Sequence, residues 1–476
     1  MTHAGNRATS APVVSDHATT AQPRRWLALA VLSLAQFMLI LDVTVVNVAL
    51  PDIGTDLGLG RAVLTWVVTA YTLAFGGLML LGGRAADLFG ARRVLLAGLA
   101  LFTVASLVSG LAPDAAVLLV GRAGQGIGAA LLSPAALSIV TTSFHGPERS
   151  KALGIWAALG GTGSAVGVLL GGALTAGPGW PWIFFINVPI GVAVLVTLPA
   201  LVPARPPAAR RRIDVAGAAV VTAATGSLIY GLITAGDRGW ASPLTLLPLA
   251  AAMALYVVFV LVERAVAEPL MQVRMLTRRP VAAGTVLMLV ASGLLIASLF
   301  LGSFALQHRY AQGALATGLA FLPVAVGTII GAQTASHAVS RTGGRPLAVT
   351  GLVIAAVGAA IAAYTVGEVG LVVGIAVAAT GLGATFVAAT TTALAHVDHD
   401  HAGLASGIVN ISHELGGALG VATVSSLAAA SLAGTGTGGF TVAFTFSAVT
   451  ALAAAVIAAV LTPGGRPPAG MMPHAH

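Results

Sequence analysis

Fourteen long apolar runs constrain this chain more than any other feature of its sequence. They cover about 26–50, 62–82, 94–112, 116–140, 152–175, 183–202, 214–235, 243–262, 281–306, 314–337, 346–366, 369–394, 403–431 and 438–461. An α-helix of about 20 apolar residues crosses the hydrocarbon core of a bilayer, so each run has the length of a span. Of the 476 residues 57% are hydrophobic and only 8% charged, against about 25% charged in soluble domains. The expected class is an all-α integral membrane protein. The narrowest division separates the eleventh and twelfth runs, where only Gly367 and Glu368 interrupt the pattern.

Charge placement orients these spans. With both termini in the cytoplasm, nineteen of the 23 basic residues fall inside, Arg61, Arg238 and Arg309 fall outside, and Arg122 lies within a span. The net charge of +8 is therefore a topology signal and does not mark a nucleic-acid surface. Two basic linkers, 203–213 and 263–280, bracket the seventh and eighth spans. The expected organisation is a polar tail (1–25), six helices (26–203), two inserted helices with their linkers (204–280), six more helices (281–462) and a second tail (463–476). The first apolar run is too long for the core of a signal peptide and is read as retained. There is no cysteine, which excludes disulfides and thiolate metal sites.

Asp42 sits inside the first run. A carboxylate at that depth costs a few kcal/mol and is by default a functional-site hypothesis, here a proton carrier. A structural pin between helices is the alternative. At 100° per residue, Ser33, Gln36, Thr44 and Asn47 form a separate polar stripe, so this helix has protein or water on two sides. In the fourth run, Arg122, Gln125, Gly126, Ala129 and Ser133 share one face, while Gly121, Gly124 and Gly128 share another suited to close packing. Arg122 is expected to face a cavity; a backbone-capping arginine is the alternative. Gly160, Gly163, Gly167 and Gly171 make a small-residue seam on the fifth run.

Several stretches carry a family resemblance. Between the second and third runs lies Gly83-Arg-Ala-Ala-Asp87-Leu-Phe-Gly90-Ala-Arg92-Arg93, where two glycines permit a tight turn and Asp87 can pair with the arginines. It resembles the signature loop of the major facilitator superfamily, with Leu88 and Ala91 replacing basic residues. That likeness implies a gating role for Gly83, Asp87, Gly90, Arg92 and Arg93. A reduced copy, Ser340-Arg341-Thr-Gly343-Gly344-Arg345, lies between the tenth and eleventh runs, as a second half would place it. Arg122-Ala-Gly-Gln125-Gly126 is similar to the family's fourth-helix motif, which implies proton transfer. Gly171-Gly172 match part of the antiporter motif, although Val168 stands where proline is expected. The stretches Leu41 to Pro51, Trp182 to Pro189, Ala316 to Pro323 and Ala402 to Gly407 narrow the resemblance to the fourteen-helix drug:proton antiporters over 26–462. Just before the second of them, Pro181 replaces an arginine usual between two tryptophans.

The thirteenth run adds Asn410, His413 and Glu414. Glu414 or His413 is a second proton carrier or a contact for a cationic cargo; packing against a nearby loop is the equal alternative. Gln36, Asn47, Gln125, Ser133 and Asn410 are the expected cavity residues. His396, Asp398, His399, Asp400 and His401 crowd one loop, yet solvated loops collect such residues and no metal site is assigned. No Walker loop is present, so the expected energy source is the proton gradient, with no cofactor.

The resulting expectation is a monomeric, proton-coupled exporter of hydrophobic or cationic drug-like molecules, working by alternating access. A dedicated exporter of one metabolite or antibiotic is the alternative, and a passive channel is the alternative from another class. An enzyme would need a clustered nucleophile or metal in the spans, and none is evident. The expected partners are small-molecule cargo, protons and lipid.

Overall fold

The computed structural model describes residues 22–144, 146–203, 214–266, 278–394, 402–433, 436 and 438–464. Among them all regular structure is helical, in the order α1 Gln22–Asp56, α2 Arg61–Phe89, α3 Ala91–Gly110, α4 Ala115–Ser143, α5 Gly146–Ala176, α6 Trp182–Phe185, α7 Asn187–Leu201, α8 Val215–Arg238, α9 Pro243–Ala265 and α10 Arg279–Phe304. A π-helical turn, Ala305–Arg309, extends α10. There follow α11 Ala314–Ala320, α12 Leu322–Thr342, α13 Gly344–Tyr364, α14 Glu368–Leu394, α15 Ala402–Leu427, α16 Ala429–Leu432 and α17 Gly438–Leu461. Twelve segments of the described residues are long and apolar enough to cross a bilayer. Exposed Val104, Val120, Val196, Met253 and Val456 would be anomalous in water and form an ordinary surface in lipid.

Element ends differ from the sequence expectation where glycine is tolerated inside a helix. The stretch from Gly83 is not a loop. Helix α2 continues to Phe89 and only Gly90, at φ 90°, separates it from α3. The corresponding turn in the second half is made by Gly343 at φ 81°, between α12 and α13. Both positions need the left-handed conformation that glycine adopts without steric cost. Two spans are broken: α6 and α7 meet at Ile186, and α11 and α12 meet at Phe321. Pro189 and Pro323 fall in the first turn of the second piece, where a missing N–H costs nothing.

Packing divides the molecule unevenly along its length. At the end bearing the α1–α2 turn, one hydrophobic core joins both halves, with Val45, Ile53, Val67, Val168 and Phe184 of the first packed with Phe300, Phe304, Phe321, Val424 and Phe444 of the second. At the end bearing the chain termini the cores are separate. One belongs to α1–α7, apart from a contribution by Ile411, and includes Met38, Leu99 and Val140. The other, in the second half, includes Leu287, Leu352 and Ala458.

Glycines set the closest helix approaches. Gly163, Gly167 and Gly171 of α5 meet Ile40, Thr44 and Val45 of α1. Gly172 faces the other half, where a Cβ would stand 2.8 Å from the Ala314 carbonyl oxygen and 3.3 Å from Gly318 Cα. Gly160 lies in α5, outside the residues whose side-chain surroundings are described.

The inserted pair α8–α9 covers the seam between α2 and α15. Ile229 and Ile233 of α8 are buried against Ala418 and Ala422, with Trp66 and Leu73 beside them. Near the α1–α2 end, Arg61 donates to Ser425 Oγ (3.1 Å) and to the Ile233 carbonyl (3.1 Å), while the Thr65 and Ser425 hydroxyls lie 2.5 Å apart. One arginine thus bridges the first half, the insert and the second half.

Candidate functional site

Asp42 lies at the centre of a closed polar cluster in the first half. Its side chain is 0% exposed and that of Arg122 1%. Arg122 Nη1 donates to Asp42 Oδ2 at 2.6 Å, an ion pair and a charge-assisted hydrogen bond in one. The other carboxylate oxygen, Oδ1, accepts from Gln125 Nε2 (2.8 Å) and Asn187 Nδ2 (2.9 Å). Gln125 Nε2 also donates to Ser106 Oγ at 2.8 Å.

Arg122 is held on every side. Its Nε donates to the Val67 carbonyl (2.9 Å), its Nη1 reaches Gln125 Oε1 (2.9 Å), and its guanidinium carbon stands 4.6 Å above the Tyr71 ring. Five helices therefore converge: α1 brings Asp42, α2 brings Val67 and Tyr71, α3 brings Ser106, α4 brings Arg122 and Gln125, and α7 brings Asn187. Helical spacing of three puts Arg122 and Gln125 on one face of α4. The adjoining face, with Gly121, Gly124 and Gly128, allows α3 to approach, since these glycines meet Ser109, Ala105 and Gly98.

Three residues expected to face a cavity, Arg122, Gln125 and Asn47, are buried in the structure. Arg122 and Gln125 do not line a cavity; both are enclosed within the first half. The acid, carbonyl and aromatic face that hold Arg122 come from α1 and α2, and the amide from α4 itself. Asn47 is likewise buried at 1% exposure, its Nδ2 bonded to the Val43 carbonyl at 2.7 Å. Gln36 and Ser133 are partly exposed and Asn410 is exposed.

In the second half, Ser292 Oγ lies 3.2 Å from His413 Nδ1 and donates to the His413 carbonyl at 2.6 Å, while the His413 ring stacks on Phe386 at 5.5 Å. Glu414 projects from α15 toward α2, where its Cβ is the nearest atom to Gly76. No ion pair to Glu414 occurs among the described residues. Arg92 is partly exposed and Arg93 exposed; the side chain of Asp87 and the loop carrying His396 to His401 lie outside the described residues. No group of three or more metal-ligating side chains occurs among the described residues.

Sequence reasoning alone did not select Ser106, Tyr71 or Asn187 for the site. Asn187 carries a usable signal as an amide within an apolar run, whereas Ser106 carries none.

A family model for the Major Facilitator Superfamily matches residues 32–421. The chain belongs to this superfamily. A puromycin resistance protein of Streptomyces alboniger is 38% identical over 482 residues, 94% of each chain. A cephamycin export protein of Amycolatopsis lactamdurans is 37% identical over 454 residues, covering 91% of this chain and 92% of its own. Among solved structures, a bacterial homologue of the human lysosomal transporter Spinster matches with a TM-score of 0.59 at 18% identity, over 93% of this chain and 96% of that one. This superfamily member is a multi-pass cell-membrane transporter, and its relatives are antibiotic resistance and export proteins.

Proposed function

We propose that this transporter exports hydrophobic or cationic drug-like molecules in exchange for protons, by alternating access between two six-helix halves within a fourteen-span topology. Helices α5 and α15, of 31 and 26 residues, stand where the fifth and thirteenth spans are expected. The observation that carries the proposal is the fully buried Asp42–Arg122 pair. A buried pair stripped of one partner is destabilised by about 3–5 kcal/mol. Protonating Asp42 removes one charge of that pair and so changes the energy of the packing around it. The driving force is of the same order: a proton crossing 100 mV supplies about 2.3 kcal/mol, and each pH unit about 1.4 kcal/mol.

With the termini in the cytoplasm, the shared core closes the outer end while the separate cores leave the inner ends free to part. That is the arrangement in which an exporter loads cargo. Glu414, on the face of α15 that meets α2, is the proposed contact for a cationic cargo, and Gly90 and Gly343 are the proposed pivots at the inner turns. Gly172 and Gly318, which let the halves touch at the outer end, are the contact that must separate when it opens.

The test uses the purified full chain in liposomes with an imposed pH gradient and a fluorescent cationic dye. Dye accumulation that collapses when the gradient is discharged supports the reading, and Asp42→Asn should bind dye without accumulating it. No accumulation of any member of a cationic and neutral panel under either gradient overturns it. A second reading, export of a single antibiotic or metabolite, rests on relatives named for single compounds. It is distinguished by a response confined to one member of the panel.

A further inference from the structure

The hydrogen bonds of the Asp42 cluster leave two buried groups idle, the Asn187 amide oxygen and the Tyr71 hydroxyl. Asn187 is 0% exposed and its Nδ2 donates to Asp42 Oδ1, but its Oδ1 has no partner. A buried amide oxygen without a donor carries a desolvation cost that native interiors rarely tolerate. Its orientation follows from the charge state: an ionised carboxylate only accepts, so it draws the amide N–H groups of Asn187 and Gln125 toward it. Once Asp42 is protonated it becomes a donor, and its new O–H needs an acceptor. Gln125 Oε1 already accepts from Arg122 at 2.9 Å, whereas Asn187 Oδ1 accepts from nothing.

We infer that Asn187 is the positioning residue of the proton-binding step, exchanging donor for acceptor by rotation of its amide when Asp42 is protonated. The inference rests on the proton-coupled reading above. In the step, a hydronium ion of the solvent gives up one O–H bond as Asp42 Oδ1 gains one, leaving neutral water and an uncharged carboxyl. The Asn187 amide turns by half a rotation about its last side-chain bond, so that Oδ1 accepts from that O–H while Nδ2 turns away. No other covalent bond changes. Arg122 loses its charged partner and keeps the Val67 carbonyl, Gln125 Oε1 and the Tyr71 ring. Asn187 is the first residue of α7, beside the break at Ile186. A change at its amide is therefore felt where that span is already interrupted.

The charged and titratable groups facing Asp42 among the described residues are Arg122 from α4 and Tyr71 from α2, with Glu414 of α15 acting on Tyr71 in turn. Helices α3 and α7 contribute only the neutral Ser106 and Asn187. Tyr71 is the rival acceptor, because its buried hydroxyl also lacks a partner.

The experiment is an infrared pH titration of the full chain in liposomes, following the carboxyl C=O band that disappears in Asp42→Asn. Dye–proton exchange is measured on the same samples. A hydrogen bond to a carboxylate is stronger than one accepted from a neutral acid, so losing both favours the protonated form. Asn187→Leu should therefore move the Asp42 midpoint to higher pH by about one unit, and the exchange profile with it. Asn187→Ser, whose hydroxyl both donates and accepts, should restore most of the wild-type midpoint, and Tyr71→Phe should leave it in place. An unmoved midpoint in Asn187→Leu overturns the inference, as does a shift in Tyr71→Phe alone. If Asn187→Leu does not fold, a wild-type midpoint in Asn187→Ala overturns it equally. Failure of the exporter reading has a separate signature: a wild-type chain whose Asp42 band titrates without any dye–proton exchange.

Discussion

The two halves share a plan of helices yet treat buried charge in opposite ways. Each has a glycine at positive φ closing a helix pair, Gly90 in one and Gly343 in the other. In the first half the acid and base are fully buried against each other and secured by amides, a hydroxyl and an aromatic face. In the second, His413 is bound to a serine and stacked on Phe386, while Glu414 faces the other half with no cation paired to it among the described residues. Under the proposed function, a closed cluster registers the arrival of one proton, whereas a carboxylate between the halves is open to cargo. On that proposal, energy coupling belongs to the first half and cargo contact to the second.

The largest test of this contrast is removal of a charge from each half. Arg122→Leu leaves Asp42 buried without its cation, and unfolding measured by thermal denaturation in detergent should show a loss of about 3–5 kcal/mol. The double variant Asp42→Asn/Arg122→Leu should recover most of that stability while remaining inactive in exchange. Equal losses in the single and double variants break the contrast. Glu414→Gln should leave unfolding unchanged and weaken cationic dye binding about tenfold, a difference of about 1.4 kcal/mol, with neutral cargo unaffected. Equal effects on cationic and neutral cargo would remove Glu414 from the cargo site.

Packing changes sharpen the comparison further. Gly172→Val places a branched side chain against Ala314 and Gly318 of the second half and should cost about 1–3 kcal/mol in stability. It should also reduce turnover, because it wedges the contact between halves; an unchanged exchange rate contradicts the role given to that contact. The smallest expected effect is at the bridge to the inserted helices. Arg61→Ala removes hydrogen bonds worth about 1 kcal/mol each and should lower the unfolding temperature slightly while slowing disulfide trapping between α2 and α15. Since the chain has no cysteine of its own, Thr65→Cys with Ser425→Cys reports that reaction without background.

Much of this architecture is legible in the sequence because lipid imposes a simple rule: long apolar runs, with charge at their ends. Asp42 and Arg122 stand out against that rule. Their pairing does not, because they lie 80 residues apart and amphipathic spacing within α4 cannot tell a water-filled cavity from a neighbouring acid. Ser106 was illegible for a different reason. Hydroxyls in apolar helices commonly bond their own backbone, as Thr44, Thr69 and Thr103 do here, so one that reaches another helix looks the same on paper. The end of α2 was misplaced because Gly83 reads as a turn residue, while tertiary packing keeps it helical as far as Gly90. The breaks at Ile186 and Phe321 were also hidden, since a proline in a first helical turn leaves the hydropathy of a run unchanged.

The central claim is that cargo export is coupled to a proton carried by Asp42. It is tested most directly by measuring proton release when a cationic dye is added to the purified full chain in weakly buffered detergent. Wild type should release protons in proportion to bound dye, and Asp42→Asn should bind dye with no release. Equal proton release by the two proteins would contradict the account.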